Sequence, residues 1–392
     1  MLFLASALAA LARSCFEFDS RTRAALWLGI SLKITFVGVA AYFFLPQLIY
    51  KDASRYFFEI SSIAVDPRPW NAFLSQGPWG YDVSNKMGMS YLYGGTAYLF
   101  RADPLLSVFA LNIFFSSLTA LLGVALARFF NGHHRHDLWV LLALSFHPEL
   151  FYWTNRVLRE NLSIFLATLT IYLCTLLFRG RILTASFGLI ATLLLTYFTR
   201  AQLTLLFPFF CLSTLLVVSL QNFGKHLRAF SIFLVVATIL LLNMPHVSQL
   251  IRSLRILPPE ISAFLNLSPP QAFHEFIRLL QVLPRVLSFA PAAFGSLGVL
   301  LIPFSILTFC GALLSIIHQF FGERLNFRYG NAVLISSASF CIGLAVMDLY
   351  TEVPFGVRFR TPITPLLLTV AVPSVALFIE QLRARASLSR PS

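Results

Sequence analysis

The sequence predicts an all-α membrane protein, a polytopic bundle of about ten transmembrane helices. Two features of its composition predict this class: 58% of the 392 residues are hydrophobic and only 11% are charged. The third observation is that long apolar runs recur to the end of the chain. A soluble domain cannot bury that much apolar surface, whereas helices of about 20 apolar residues satisfy their own backbone hydrogen bonds in lipid.

Apolar runs long enough to cross a bilayer define the predicted spans. The first dozen residues have no basic start and are followed by Arg13, Arg21 and Arg23, which predicts an interfacial helix rather than a signal peptide. Residues 1–392 are interpreted as one transmembrane domain. The spans are predicted near 24–45, 105–130, 138–153, 160–178, 182–198, 202–220, 229–243, 294–318, 331–349 and 361–380.

Two long connections interrupt this series of spans. The loop 46–104 is rich in Tyr, Trp and Phe, which favour the headgroup layer, so we expect interfacial helices along the membrane surface there. The loop 244–293 carries an apolar stripe at helical spacing that predicts a second surface helix. The stripe consists of Phe273, Phe276, Ile277 and Leu280.

Basic clusters in the short loops predict the orientation of the bundle. They place both termini in the cytoplasm and both long loops outside. The formal net charge of +13 is spread over the ends of apolar runs, which indicates contact with lipid phosphates rather than with nucleic acid. The clusters are Arg13, Arg21 and Arg23; 128–137; 179–181; 225–228; Arg324 and Arg328; and the C-terminal tail.

Common soluble-enzyme motifs are missing from the sequence. It has five cysteines without a CxxC spacing, which favours packing roles over a zinc site or a disulfide framework. No DxD pair, P-loop, GxGxxG or GxSxG occurs, so a soluble nucleotide-activated substrate is not favoured.

Charged residues that are far apart in the chain would emerge on the predicted extracytoplasmic face. Charge near a bilayer is costly, so their convergence predicts a reaction or binding site. Asp52 opens the first long loop, and Arg159 and Glu160 lie in the junction between the third and fourth spans. Arginines suit phosphate binding because of their fork of donors. Those on this face are Arg159, Arg200, Arg358 and Arg360.

Each of these residues also has an ordinary structural interpretation. Asp52 could cap a helix or pair with Arg55, and Glu160 could cap the next helix or pair with Arg156 at i,i+4. The arginines could anchor helices at lipid headgroups. Sequence spacing does not separate these alternatives.

Several segments together resemble a C-type (GT-C) membrane glycosyltransferase, the superfamily that includes protein O-mannosyltransferases and bacterial lipid A aminoarabinose transferases. The segment 85–123, which contains Lys86 and Asn112, is similar to the family's Gly-x-x-x-Tyr helix and Asn-bearing span. The segment 147–166 resembles its proline, aromatic and basic–acidic junction, and VRFRTPITPLLL resembles its late Arg-x-Arg/Pro segment. The chain has Lys51-Asp52-Ala53 where protein O-mannosyltransferases have an adjacent Asp-Glu pair, and it is more similar to compact bacterial enzymes of envelope glycans.

The resemblance implies transfer of a sugar from a polyprenyl phosphate to a glycan, lipid or protein acceptor at a bacterial inner membrane. It implies catalytic roles for Asp52 and Glu160, and donor-phosphate binding by the four arginines named above. It implies substrate contacts for Lys86, Asn112 and Asn155, and it leaves a divalent cation as a possible cofactor. The alternatives are a polysaccharide polymerase or ligase that uses a lipid-linked oligosaccharide, a glycolipid flippase, and a non-catalytic scaffold.

Overall fold

The structure is a computed structural model of the chain, and its described part is entirely helical. It describes residues 18–48, 52–66, 87–131, 134–196, 198–200 and 361–388, together with positions 10, 203, 303–304, 306–308, 310–314 and 337. No strand occurs within these ranges. The predicted all-α class is therefore confirmed for the part of the chain that the structure describes.

The described helices are separated by short connections, apart from two stretches that lie mostly outside the described residues, 66–86 and 201–360. The first five are α1 (Ser20–Leu48), α2 (Asp52–Val65), α3 (Met87–Phe100), α4 (Pro104–Asn131) and α5 (Asp137–Phe146). They are followed by α6 (Pro148–Thr154), α7 (Glu160–Phe178) and α8 (Ile182–Arg200). A 3-10 turn, Thr361–Ile363, leads into α9 (Thr364–Leu388).

Five of these helices contain stretches long and apolar enough to cross a membrane. The stretches are Ser20–Phe43, Pro104–Phe130, Glu160–Leu177, Ile182–Arg200 and Thr361–Arg383. They coincide with the spans predicted near 24–45, 105–130, 160–178, 182–198 and 361–380, so a membrane protein is supported. The predicted spans 202–220, 229–243 and 331–349, the loop 244–293 and most of 294–318 lie outside the described residues.

The predicted span 138–153 is wrong as one continuous helix. The structure has α5 and α6 there, of 10 and 7 residues, which meet at His147. Pro148 has no backbone N–H and disfavours a helical conformation in the residue before it. His147 accordingly takes φ −55° and ψ 122°, and Pro148 begins α6.

Contacts between the long helices show which ends lie together. The guanidinium of Arg128, near the end of α4, lies 5.0 Å from the ring centre of Phe18, which precedes α1. Arg135, before α5, contacts Glu380 of α9, and Arg179, after α7, stacks on Phe129. α1 and α5 therefore run in one direction and α4, α7 and α9 run in the other. We call this end of the bundle the Arg128 end.

At the opposite end, which we call the Glu160 end, α7 begins, α8 ends and α9 begins. The ring centres of Phe115 and Phe165 lie 5.0 Å apart where α4 packs on α7. α5 approaches α4 so closely that a Cβ atom at Gly123 would overlap Leu144. Since lipid tails are as apolar as the side chains, such close van der Waals packing, rather than exclusion of water, favours helix association.

The loop 46–104 contains α2 and α3, which lie side by side and run parallel. Ser90 donates a hydrogen bond to Glu59 at 2.9 Å, and an added Cβ at Gly94 would lie 2.8 Å from the carbonyl oxygen of Ile60. Only a glycine permits this approach. The placement of these helices along a membrane surface stays a prediction.

Candidate functional site

An ion pair between Glu160 and Arg200 lies at the centre of the Glu160 end. The Nη2 of Arg200 donates to Oε1 of Glu160 at 2.8 Å, and the two side chains are 0% and 1% exposed. α7 and α8 are joined by a turn at residues 179–181 and run antiparallel, which brings the first residue of α7 to the last residue of α8. Removing two charges from water costs several kcal/mol per ion, so each of these charges depends on its partner.

Arg159 connects this pair to α2. Its Nη1 donates to the carbonyl oxygen of Thr199 at 3.2 Å, and its guanidinium carbon lies 6.0 Å from the ring centre of Tyr56. Tyr56 is four residues after Asp52, about 6 Å along the helix. The first turn of α2 therefore lies beside the arginines of the junction. The side chain of Asp52 lies outside the described part of the structure.

The start of α3 reaches the same place. A Cβ atom at Gly88 would lie 2.6 Å from the carbonyl oxygen of Phe198, so the two backbones are in direct contact two residues before Arg200. Lys86, a predicted substrate contact, immediately precedes α3 and lies outside the described residues. The glycine places this stretch of chain against the end of α8.

Asn112 ties the junction 154–160 to α4. Its Nδ2 donates to the carbonyl oxygen of Arg156 at 2.9 Å, its Oδ1 accepts from the hydroxyl of Tyr93 at 2.7 Å, and its own carbonyl accepts from Asn161 at 2.8 Å. Burial raises the pKa of Tyr93, which keeps its hydroxyl protonated as a donor. Both polar atoms of the Asn112 side chain thus bind protein groups, and Asn112 positions the segment that carries Arg159 and Glu160.

Asn155 differs from Asn112 in that only one of its two polar side-chain atoms has a hydrogen-bond partner within the described part of the chain. Its Nδ2 donates to the carbonyl oxygen of Phe151 at 2.7 Å. Its Oδ1 is buried and has no hydrogen-bond partner within the described part of the chain. A buried acceptor without a donor is costly, so this atom marks a position where a donor from a ligand or water would be stabilising.

Glu149 is a buried carboxylate that the sequence analysis did not single out. It is 3% exposed and accepts hydrogen bonds from Thr361 at 2.9 Å and from Thr364 at 3.0 Å. The sequence gives little indication that Glu149 is buried, because it shows only an acidic residue in the first turn of the helix that begins at Pro148. Thr361 directly follows Arg360 in the sequence, and residues 358–360 lie outside the described part of the chain.

One predicted structural alternative is replaced by another contact, and a second stays a prediction. Glu160 pairs with Arg200 rather than with Arg156. Arg156 instead lies 4.8 Å from the ring centre of Tyr152. Arg55 contacts Glu59 at 2.9 Å, and its predicted pairing with Asp52 involves a side chain outside the described part of the chain. Across the described residues, no group of three or more His, Cys, Asp or Glu side chains is arranged to hold a metal ion. The geometry described here therefore assigns no ligands to the possible divalent cation.

The arrangement suits an anionic group more than a cationic one. Three arginines and two carboxylates lie at this end: Arg156, Arg159 and Arg200, and Glu149 and Glu160. Arg358 and Arg360 closely precede Thr361, which is hydrogen-bonded to Glu149 at the same end. Arginine donors in a site of low water content bind phosphate strongly. No protein-family model, no curated protein and no solved structure matches this chain.

Proposed function

We propose that the chain is an integral-membrane glycosyltransferase that moves a sugar from a polyprenyl-phosphate donor to an envelope glycan, lipid or protein acceptor. One observation carries the proposal: the starts of α2 and α3, the junction 154–160, Arg200 and Thr361 all lie at one end of the bundle. This end combines buried arginines with the backbone position of a carboxylate, Asp52. Transfer from a lipid phosphate requires a base for the acceptor and cations for the departing phosphate.

In the proposed reaction Asp52 takes the proton of the acceptor hydroxyl. The hydroxyl oxygen attacks the anomeric carbon, and the bond from that carbon to the phosphate oxygen breaks. The polyprenyl phosphate leaves with the electron pair, and Arg159, Arg200, Arg358 and Arg360 stabilise its charge. Loss of one such contact lowers the rate by about 10²-fold.

Glu160 acts in this scheme through Arg200. Its 2.8 Å contact holds the guanidinium in a fixed orientation at the end of α8, next to the Arg159 contact with Thr199. A preorganised cation costs no reorganisation when charge develops on the phosphate. Substrate contacts are proposed for Lys86 and for the buried Oδ1 of Asn155, whereas Asn112 holds the junction.

We also propose that the Arg128 end faces the cytoplasm of a bacterial cell. Arginines collect there, at Arg128, Arg135, Arg179 and Arg181, and basic residues in short loops favour the cytoplasmic side. α1 begins and α9 ends at this end, so both termini would be cytoplasmic. The donor sugar would then react on the extracytoplasmic face.

The other proposed functions differ in what they require of the chain. A polymerase or ligase needs the same phosphate-binding arginines and differs in its product, so the length distribution of the glycan separates it from a transferase. A flippase requires charge deep inside several spans. Lys33 is the charged side chain near the middle of a described span, and its Nζ donates to Ser116 at 2.7 Å.

The decisive experiment compares Asp52→Asn with Asp19→Asn in a deletion strain. Asp19 also stands at the start of a helix but at the Arg128 end, and asparagine caps helices as well as aspartate does. We expect Asp52→Asn to lower transfer by about 10²- to 10⁴-fold, the range of general-base catalysis, and Asp19→Asn to leave it unchanged.

Arg358→Ala provides the matching test of phosphate binding, with Arg179→Ala at the Arg128 end as its control. Mass spectrometry of lipid-linked and envelope glycans measures the products of all four variants. Wild-type glycans from the membrane-inserted Asp52→Asn and Arg358→Ala proteins would refute the proposal.

A further inference from the structure

A large apolar groove lies between α5, α9 and the helical positions 304, 307 and 308. Its volume is about 750 Å³, and its walls include Leu142, Phe146, Leu307 and Val375. This volume falls within the range of about 300–1,000 Å³ that is usual for small-molecule sites. Both α9 and α5 are apolar helices, so the groove faces the hydrocarbon region and not the aqueous phase.

The groove is long enough to hold an acyl chain. Its lining on α9 runs from Leu368 to Arg383, about 22 Å at about 1.5 Å per residue, and the hydrocarbon core is about 30 Å thick. One end reaches His147, whose Nε2 lies 3.1 Å from the hydroxyl of Thr308. Since that hydroxyl donates to the carbonyl of Phe304, Nε2 is the donor of the pair, and the buried Nδ1 of His147 has no hydrogen-bond partner within the described part of the chain. The groove therefore ends inside the protein at the contact between His147 and Thr308.

The other end opens among groups that are typical of the headgroup layer. Trp139 and Arg383 line it, and Trp139 is 58% exposed. Glu380 lies on the rim and contacts Arg135 at 3.1 Å, where the Arg135 side chain is 65% exposed. Tryptophan favours the membrane interface, and two arginines against one carboxylate leave a net positive charge at the rim.

We infer that this groove is a binding site for an anionic phospholipid, with one acyl chain between α5 and α9 and the phosphate at Arg383 and Arg135. The charge at the rim selects the headgroup, and the length of the groove suits an acyl chain. A polyprenyl donor for the proposed reaction would need its phosphate at the Glu160 end, and this groove opens at the Arg128 end. The inference is therefore independent of the proposed function.

The test uses the full chain in nanodiscs that contain equal amounts of phosphatidylglycerol and phosphatidylcholine. After exchange into mild detergent, native mass spectrometry counts the lipids that remain bound. We expect retained phosphatidylglycerol to exceed retained phosphatidylcholine, and Arg383→Gln to lower that excess about fivefold, the contribution of one arginine near an anionic surface. Arg179→Gln, an exposed arginine at the same end but outside the groove, should retain the wild-type ratio.

A second pair of variants tests the acyl chain. Ala376→Phe fills the groove and should abolish retention of either lipid, whereas Val39→Phe adds the same ring to an exposed position of α1 and should not. Three results would overturn the inference. The first is equal retention of both lipids, and the second is unchanged retention in Arg383→Gln. The third is that a prenyl lipid or a second copy of the chain copurifies in place of a phospholipid. Arg383→Gln alters an exposed side chain, so the headgroup test stands even where Ala376→Phe fails to fold.

Discussion

Charged residues at the two ends of the bundle are held in different ways. At the Glu160 end, Glu160, Arg200 and Glu149 are at most 3% exposed and bind one another or buried hydroxyls. At the Arg128 end, the Arg135 and Glu380 side chains are 65% and 38% exposed. The Arg128–Asp137 pair of this end is intermediate, with side chains 15% and 12% exposed. The most deeply buried charged residues of these contacts therefore lie at the Glu160 end, and the most exposed pair lies at the Arg128 end.

This difference in burial indicates where function lies. Exposed ion pairs contribute about 0–1 kcal/mol to stability, so their substitution has little effect on folding. A buried pair is often no more stabilising than apolar residues of similar volume, yet removal of one partner leaves an uncompensated charge. Buried charged residues in a membrane protein therefore support the hypothesis of a functional site, and the Glu160 end contains such residues.

The largest expected effect comes from breaking the buried pair. Arg200→Met removes the buried ion-pair partner that contacts Glu160 at 2.8 Å and should destabilise the protein by about 3–5 kcal/mol. Arg135→Met, at the exposed pair, should change stability by about 0–1 kcal/mol. Both are measured by unfolding with increasing mole fraction of sodium dodecyl sulfate in mixed micelles, followed by circular dichroism.

The double variant Arg200→Met, Glu160→Leu sharpens this test. Removing both charges should restore most of the stability, because the loss in the single variant comes from a buried carboxylate that has lost its ion pair with Arg200. A double variant as unstable as the single one would mean that packing around Arg200, and not charge, dominates. Activity should be lost in both, since the proposed phosphate contact is missing in each.

An intermediate effect is expected at Glu149, which joins α6 to the start of α9. Hydrogen bonds between membrane helices contribute about 0.6 kcal/mol on average, so Glu149→Ala should cost about 1–2 kcal/mol for its two bonds. Thr361→Val and Thr364→Val should each cost about half of that. In a double-mutant cycle, Thr364→Val should have no further effect once Glu149 is replaced, and full additivity would contradict the contact.

The long helices could be predicted from the sequence, and their side-chain partners could not. Hydropathy places α1, α4, α7, α8 and α9 because lipid imposes the same length and composition on every span. Pro148 predicts a break in the helix, and the structure has α5 and α6 there as separate helices. Local rules thus account for where helices begin and end.

The pairing of Glu160 shows why the site was harder to predict. Sequence spacing offered Arg156 at i,i+4, whereas the structure uses Arg200, 40 residues away. The partner of Glu160 depends on the lengths of α7 and α8 and on the turn between them, because these determine which residue of α8 lies next to Glu160. Glu149 was missed for the same reason, since its partners follow more than 200 residues later.

A small effect is expected at Asp19, an exposed charge of the Arg128 end. Its Oδ1 accepts from the backbone N–H of Thr22 at 2.9 Å and so caps α1. Asp19→Ala should cost about 1 kcal/mol at neutral pH, while Asp19→Asn should keep the cap. The measurement is thermal unfolding in a nonionic detergent between pH 2.5 and pH 8.

The pH dependence of this effect has a definite sign. Hydrogen bonds from the side chain and the backbone of Thr22 lower the pKa of Asp19, so the folded protein holds this carboxylate charged to lower pH than the unfolded chain does. The stabilisation is complete above the ordinary aspartate pKa of about 4 and is lost as the pH falls below it. The difference between the wild type and Asp19→Ala should therefore be constant from about pH 5 upward and shrink below about pH 4. A difference that disappeared already at pH 6 would contradict the cap, because a group with a lowered pKa cannot titrate there.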